Sequence, residues 1–261
     1  MNDLFFYLPK LLLPLALHLP FEYQYSRIVG RLEDELLDLD KLLNSIDATK
    51  KRAIDIGANR GLYTYVLAQI YEVVEAFEPQ HSCTKTIDAY RKNFRKEINV
   101  HNCALSSSVG EMTLNIPVIE GRLRTTLSTG LASLNKTKGK HESIQVPVHR
   151  LDDYAFRDVS FIKIDVEGHE REVIAGAKGT IKREKPILLV EIEQRHLKSL
   201  PITVIFDEIK ELGYDGYFLL DRRLTSIEEF SYEQHQKLPL SQNQGTIINQ
   251  AYINNFIFKP N

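Results

Sequence analysis

The stretch Lys51-Arg52-Ala53-Ile54-Asp55-Ile56-Gly57-Ala58-Asn59-Arg60-Gly61 constrains the fold more than any other part of the chain. A short apolar run, Ala53 to Ile56, enters a turn with two glycines. Leu62, Val66 and Ile70 then follow at helical spacing. Strand, glycine turn and helix make half of a nucleotide-binding βαβ unit, which holds its ligand at the carboxyl end of the strand. The spacing is Asp-x-Gly-x-x-x-Gly, so the Gly-x-Gly-x-x-Gly turn of nicotinamide-dependent oxidoreductases is absent here. A dinucleotide loop keeps its centre clear for a pyrophosphate at the helix N-terminus. A carboxylate before the first glycine suits instead a ligand bearing an ammonium group and a sulfonium.

S-adenosylmethionine is such a ligand. The next apolar strand, Val73 to Phe77, ends at Glu78-Pro79. An acid about 20 residues past the glycine turn, at the end of the second strand, is where ribose hydroxyls are held. A carboxylate accepts hydrogen bonds from both at once. Ser82 is expected to cap a helix over 82–94. A third strand, Ile98 to Cys103, ends where Asn102 or the backbone near Ala104 and Leu105 could read an adenine. The second strong signal is Val159 to Glu170. An apolar strand ends in Asp165, Gly168 makes a tight exit, and a helix over 169–183 buries Val173, Ile174, Ala177 and Ile181. Ligand crevices of open α/β sheets lie at strand carboxyl ends, which puts Asp165 and Glu167 in one crevice with Gly57 and Glu78. A fifth strand from Pro186 carries Glu191 and Glu193, two apart and therefore on one face. Such acids are costly in an apolar strand unless paired or functional. His196, just past the strand end, is a candidate to deprotonate a substrate.

Residues 106–118 read as a hairpin. The segment 119–143 has weak periodicity and carries Arg122, Arg124, Lys136, Lys138 and Lys140 against Glu120 and Glu142. It is read as a substrate lid that holds an anionic group, with a solvated loop as the alternative. A strand at 144–148, a helix at 202–212 and a strand at 217–220 follow. Residues 221–250 are polar with no clear period, and Asn255 to Pro260 forms a last strand that returns to the sheet. The chain thus reads as α/β.

Residues 4–20 are strongly apolar. Asp3 and the lack of early basic residues make the start wrong for a secretory leader. Lys10, His18 and three prolines interrupt a run already shorter than the roughly 20 residues of a membrane span. The segment is expected to pack on the domain, on a partner subunit in a homo-oligomer, or shallowly on a membrane surface. Residues 31–46 show helical spacing of leucines. Cys83 and Cys103 have no metal spacing and give no disulfide framework, which fits a reducing, cytoplasmic location. The net charge of −2, from 33 basic and 35 acidic side chains, does not imply a nucleic-acid partner.

Asp55-x-Gly57-x-x-x-Gly61, Glu78-Pro79 and Lys163-Ile164-Asp165-Val166-Glu167-Gly168-x-Glu170 together resemble the FkbM family of S-adenosylmethionine-dependent methyltransferases. Leu151-Asp152-Asp153, the Pro186 to Glu191 strand and Asn255-Phe256-Ile257 are similar as well, so the resemblance covers about 50–260. It implies a Rossmann-like class I methyltransferase fold, a mostly parallel seven-stranded sheet with helices on both faces, over 46–261. Residues 1–45 would be an apolar and helical extension. It further implies methyl transfer, most often to a hydroxyl of a sugar, a glycan or a natural product. Carried over, Asp55, Gly57, Asn59 and Gly61 line the methionine end of the cofactor. Glu78 takes the ribose, the residues from Asn102 to Ala104 and Leu105 face adenine, and Asp165 sits by the transfer site. The base is expected among Asp165, His196 and Glu193. A divalent metal on Asp165, Glu167 and Glu191 is conceivable, but no spacing demands one. A non-catalytic module that binds the same cofactor is the alternative. The Asn/Asp-Pro-Pro-aromatic exit usual in nucleic-acid methyltransferases is replaced by Asp165-Val166-Glu167-Gly168.

Overall fold

The structure is a computed structural model that describes residues 51–92, 96–120, 125–127, 133–134, 140–197, 199–221, 223–237 and 252–261. The expectations for residues 4–20 and 31–46 lie outside the described residues, as does most of 119–143.

The main sheet is built from β1 (Arg52–Ile56), β2 (Val73–Phe77), β3 (Glu97–His101), β8 (Val159–Ile164), β9 (Ile187–Glu191), β10 (Tyr214–Leu220), β11 (Arg223–Ser226) and β12 (Asn255–Pro260). Their order is β11-β10-β12-β9-β8-β1-β2-β3. The five strands from β3 to β9 run parallel, whereas β12, β10 and β11 join by antiparallel pairing. The helices are α1 (Leu62–Ile70), α2 (His81–Arg91), α3 (Glu170–Glu184) and α4 (Ile202–Lys210). Central strands of a parallel sheet covered on both faces read as unbroken apolar runs. Accordingly Ile54, Ile56, Ile162, Ile164, Leu188 and Val190 are fully buried. α3 adds Val173, Ile174, Ala177 and Ile181 to this core, and α4 adds Ile202, Ile205, Phe206 and Ile209. Each such side chain stabilises the fold by about 1.5–3 kcal/mol on burial.

The fold class is as expected, with one strand more. The eighth strand, β11, falls in the polar stretch after residue 220; of its four residues only Leu224 is apolar, and no alternation marks a strand. It forms by pairing back on β10, Tyr217 opposite Ser226 through Leu220 opposite Arg223. The hairpin expected over 106–118 is a misreading. β5 (Gly110–Glu120) is one long strand, and its partner is the distant β7 (His141–His149). With β4 (Ala104–Leu105) and β6 (Thr125–Leu127), they make a second sheet ordered β4-β7-β5-β6. It has a small core of its own: Ala104, Leu114, Ile116, Val146 and Val148. Ser82 does not cap α2, because the helix already includes His81. β9 ends at Glu191, so Glu193 lies beyond the strand, just before a single helical turn at Gln194–His196.

α3 joins the two sheets. At its entry, the buried His169 shares a hydrogen bond with Ser106, Nε2 to Oγ, at 2.9 Å. About two turns further, Gly176 lies against the same residue: a Cβ there would stand 1.9 Å from the Ser106 carbonyl oxygen. Alanine in an open helix position is better than glycine by roughly 0.5–1 kcal/mol. Here the steric term wins. Gly176→Ala is expected to destabilise the domain by about 1–3 kcal/mol, read as a lowered urea midpoint. An unchanged or raised midpoint would mean that helix and strand can separate at little cost.

Candidate active site

The site is assembled where β1, β2 and β8 end. Asp165 N–H donates to the Ile56 carbonyl at 3.0 Å, so the exits of β1 and β8 lie backbone against backbone. Gly57 makes this approach feasible. It has φ +78, and a Cβ would fall 1.8 Å from the Asp165 carbonyl oxygen. Gly57 N–H and Ala58 N–H both donate to Phe77 O, at 2.9 and 3.0 Å, which ties the turn to the end of β2. Asn59 is also left-handed, at φ 49. Gly61, at φ 82, is the N-cap of α1.

Glu78 is the carboxylate at the β2 exit. Its Oε2 accepts from Asn59 N–H at 2.8 Å, and its Oε1 from Gln80 N–H at 2.7 Å. Asn102 Nδ2 donates to the carbonyls of Glu78 and Pro79, both at 2.9 Å, and so fixes the turn that carries the acid. Burial pushes the Glu78 carboxyl up to about 7 in spite of these N–H donors.

Asp55 lies beneath the turn, fully buried, with Thr64 Oγ1 donating to Oδ2 at 2.6 Å. Its Oδ1 is buried with no hydrogen-bond partner among the described residues. Burial raises its pKa, while Lys163 and Thr64 pull it back. Lys163 is the buried cation of the site. Its Nζ is 2.9 Å from Asp165 Oδ2 and 4.3 Å from the centre of the Tyr63 ring. Burial alone would push the ammonium down. Asp165, Asp55 and Glu191 outweigh that and hold it above the ordinary lysine range.

The ends of β1, β2 and β8 border a cleft of about 600 Å³, a volume that includes open solvent. Of the candidates for holding a cofactor, Gly57, Asn59, Glu78, Ala104, Leu105 and Asp165 line it. Asp55, Gly61 and Asn102 do not. They shape it from behind, the first through α1, the second as a helix cap and the third as a clamp on the Glu78 turn. Cys103, Leu114 and Leu134 line it as well. The last two come from the second sheet and the short described piece beside it, so part of the expected lid segment does reach the site.

The three candidate bases separate. Asp165 faces the cleft but is committed to Lys163. Glu193 is buried, accepts from Arg195 Nη2 at 2.8 Å and takes a short hydrogen bond from the Tyr252 hydroxyl. Both of its oxygens are engaged, and it is not among the residues that line the cleft. Glu191 is bound by Asn254 Nδ2 at 2.6 Å. His196 Nδ1 lies 3.4 Å from Glu167 Oε2, and Glu167 does line the cleft. Burial lowers the His196 pKa and pushes the Glu167 carboxyl up to about 8, with Asp165 and Glu193 adding to the rise. Neither the Lys163 hub nor the Glu167–His196 pair is visible as a spacing. Lys163 stands inside an apolar strand, and a buried lysine there is itself the signal that acids surround it. Among the described residues, no group of three or more His, Cys, Asp or Glu is arranged to hold a metal ion, and no helix is long and apolar enough to cross a membrane.

The donor set fits S-adenosylmethionine. A carboxylate at the β2 exit can take two ribose hydroxyls, a second carboxylate stands at the β8 exit, and apolar side chains flank the space between. Comparison with solved structures places the chain near an FkbM methyltransferase from Methylobacillus flagellatus KT, at 17% identity and TM-score 0.48, covering 81% of this chain and 44% of that one. The chain therefore spans less than half the length of that protein. An rRNA methylase from Streptococcus thermophilus is similar at 11% identity and TM-score 0.45, covering 85% and 93%. A protein from Streptococcus mutans in complex with SAH is similar at 12% identity and TM-score 0.46, covering 86% and 96%. No curated protein matches. The sequence itself matches the methyltransferase FkbM domain over residues 55–215, a span that opens on the carboxylate beneath the glycine turn and closes in β10. The chain belongs to the FkbM family of S-adenosylmethionine-dependent methyltransferases.

Proposed function

We propose that this domain transfers the methyl group of S-adenosylmethionine to a hydroxyl of a small-molecule or glycan acceptor, a sugar or a natural product, and not to a nucleic acid. The observation that carries the reading is the placing of Asp165 and Glu167 along one wall of the cleft, a carboxylate ion-paired to Lys163 followed by one backed by an imidazole. The sulfonium supplies a methyl group with its leaving group already in place. What remains for the protein is to align the acceptor oxygen, exclude water and accept a proton. Alignment of bound reactants supplies about 7–11 kcal/mol, and a positioned base about 10²–10⁴-fold in rate. Asp165 serves as a fixed negative charge, since taking a proton would leave the buried Lys163 ammonium with one counter-charge fewer. Glu78 holds the ribose.

The Glu78 role has a pH signature. Hydrogen bonds from two hydroxyls need the ionised carboxylate, and burial holds this one near 7. Affinity for S-adenosylhomocysteine is expected to rise as pH increases from about 6 to 8 and to level off above. Glu78→Ala should weaken binding and flatten the dependence. Calorimetric titration across this range checks both, and an equally steep profile in the variant would remove Glu78 from the ribose. The acceptor class is tested by incubating the full chain with methyl-labelled cofactor and fractionated glycan and small-molecule extracts. Label in a sugar or natural-product fraction is the expected result. Label that enters only added RNA would overturn the acceptor class, and label that stays on the cofactor, with binding intact, would leave a binding module.

A further inference from the structure

We infer that Glu167 is the base that takes the acceptor's hydroxyl proton, and that the charge of the bound cofactor readies it. The inference rests on the methyltransferase reading above and adds to it a residue and a coupling.

Glu167 is two positions past Asp165, on the loop between β8 and α3. Its φ is 52, a left-handed backbone in a residue that carries a Cβ. Such a conformation costs about 1–2 kcal/mol and persists only where neighbours enforce it. Here they do. Ser133 Oγ donates to the Glu167 carbonyl at 2.7 Å. Ser133 is in turn paired to Asn115 of β5 through both of its backbone groups, at 2.9 and 3.0 Å. The second sheet therefore grips the loop that carries the carboxylate. On the side-chain end, Oε2 meets His196 Nδ1 at 3.4 Å, while the side chain remains on the cleft wall. Held at both ends, Glu167 shares the cleft wall with Asp165, which is paired to Lys163, and with Glu78, whose oxygens are held by the backbone N–H groups of Asn59 and Gln80.

Every element packed around it contributes charge. Asp165 comes from the exit of β8, Glu170 from the first turn of α3, and Glu193 and Arg195 from the exit of β9. Three carboxylates face it against one guanidinium, and the adjoining imidazole is held neutral by burial. The group thus keeps its proton at neutral pH while the cleft is empty of cations. S-adenosylmethionine brings a net positive charge into the crevice beside Asp165, and S-adenosylhomocysteine does not. An opposite charge within a few ångströms favours the ionised carboxylate. The proton leaves to solvent as the methyl donor binds.

The step then balances. The bond from oxygen to methyl forms while the bond from sulfur to methyl breaks, and its electron pair stays on sulfur. The hydroxyl proton passes to the Glu167 carboxylate. Sulfonium and carboxylate are both neutralised, and the protein is returned to its starting protonation state with a neutral thioether bound. His196 is a positioning residue, orienting the carboxylate through Nδ1.

The deciding experiment is calorimetry of the full chain with S-adenosylmethionine and with S-adenosylhomocysteine near pH 7, in two buffers of different ionisation heat. Wild type and Glu167→Gln are compared, so that protons from the ligands' own amino groups cancel. Wild type is expected to release up to about one proton more than the variant on binding the methyl donor, and no more than the variant on binding the thioether. Equal release by the two proteins with the methyl donor would overturn the inference. A folded wild type that binds neither molecule would instead defeat the methyltransferase reading beneath it. As a second readout, Glu167→Gln should lose about 10²–10⁴-fold in methyl transfer to the fraction labelled by wild type, with part restored in Glu167→Asp. Full turnover in Glu167→Gln would also overturn it.

Discussion

Gly57→Ala is expected to abolish cofactor binding and to lower the stability of the domain by about 2–5 kcal/mol, the sum of left-handed strain and overpacking. The two terms have one origin. At φ +78 the added methyl would point at the Asp165 carbonyl oxygen from 1.8 Å, closer than any non-bonded contact. The colliding atom is backbone at the end of a buried strand, so it cannot swing aside as a flexible side chain would. Relief requires that β1 and β8 part at their carboxyl ends, and that movement widens the crevice that Gly57, Asn59 and Asp165 line. Urea unfolding reads the first effect and titration with S-adenosylhomocysteine the second. A variant that unfolds at the wild-type midpoint would show that the two strand ends are not pressed together as described.

Lys163→Met should be nearly as severe, by about 3–5 kcal/mol, and for an electrostatic reason. The side chain is buried, and methionine fills much of its volume. What is lost is the only cation against which Asp55 and Asp165 are placed among the described residues; the loss leaves uncompensated charge in a medium that solvates it poorly. The pH dependence separates this from a packing defect. Carboxylates without a counter-charge titrate above their unfolded values, so their penalty is absent when they are protonated and grows as pH rises through the raised pKa. The deficit of Lys163→Met relative to wild type should therefore shrink as pH falls through the raised Asp55 pKa. A deficit independent of pH would mean that Lys163 acts through its packing on Tyr63 alone.

Much of this architecture can be read directly along the chain. β1, β2, β8 and β9 are short runs dominated by apolar residues, and a buried parallel strand is recognised from such a run. Glycines at 57 and 61 and acids at 55, 78 and 165 mark strand ends, and the strand-end rule alone gathers them into one crevice. The β5–β7 pair escaped because its hydrogen bonds join residues that the sequence keeps far apart, and Gly110 looks like the turn of a local hairpin. It is in fact the start of a strand, opposite Val148. The same long-range pairing delivers Ser133 to Glu167.

The amino-acid sequence by itself determined the parallel α/β sheet, the glycine turn under the cofactor and the carboxylates at the strand ends, because each follows from local periodicity and from which side of a strand its last residue occupies. The tertiary structure alone decided which neighbours each carboxylate meets. Asp165, Glu167, Glu191 and Glu193 are chemically alike on the page. Lys163 pairs with the first, Asn254 binds the third, and Arg195 with Tyr252 the fourth, whereas Glu167 lines the cleft beside the His196 imidazole. A carboxylate's role is set by the charges and dipoles within a few ångströms of it, and those neighbours come from strands that only folding brings together.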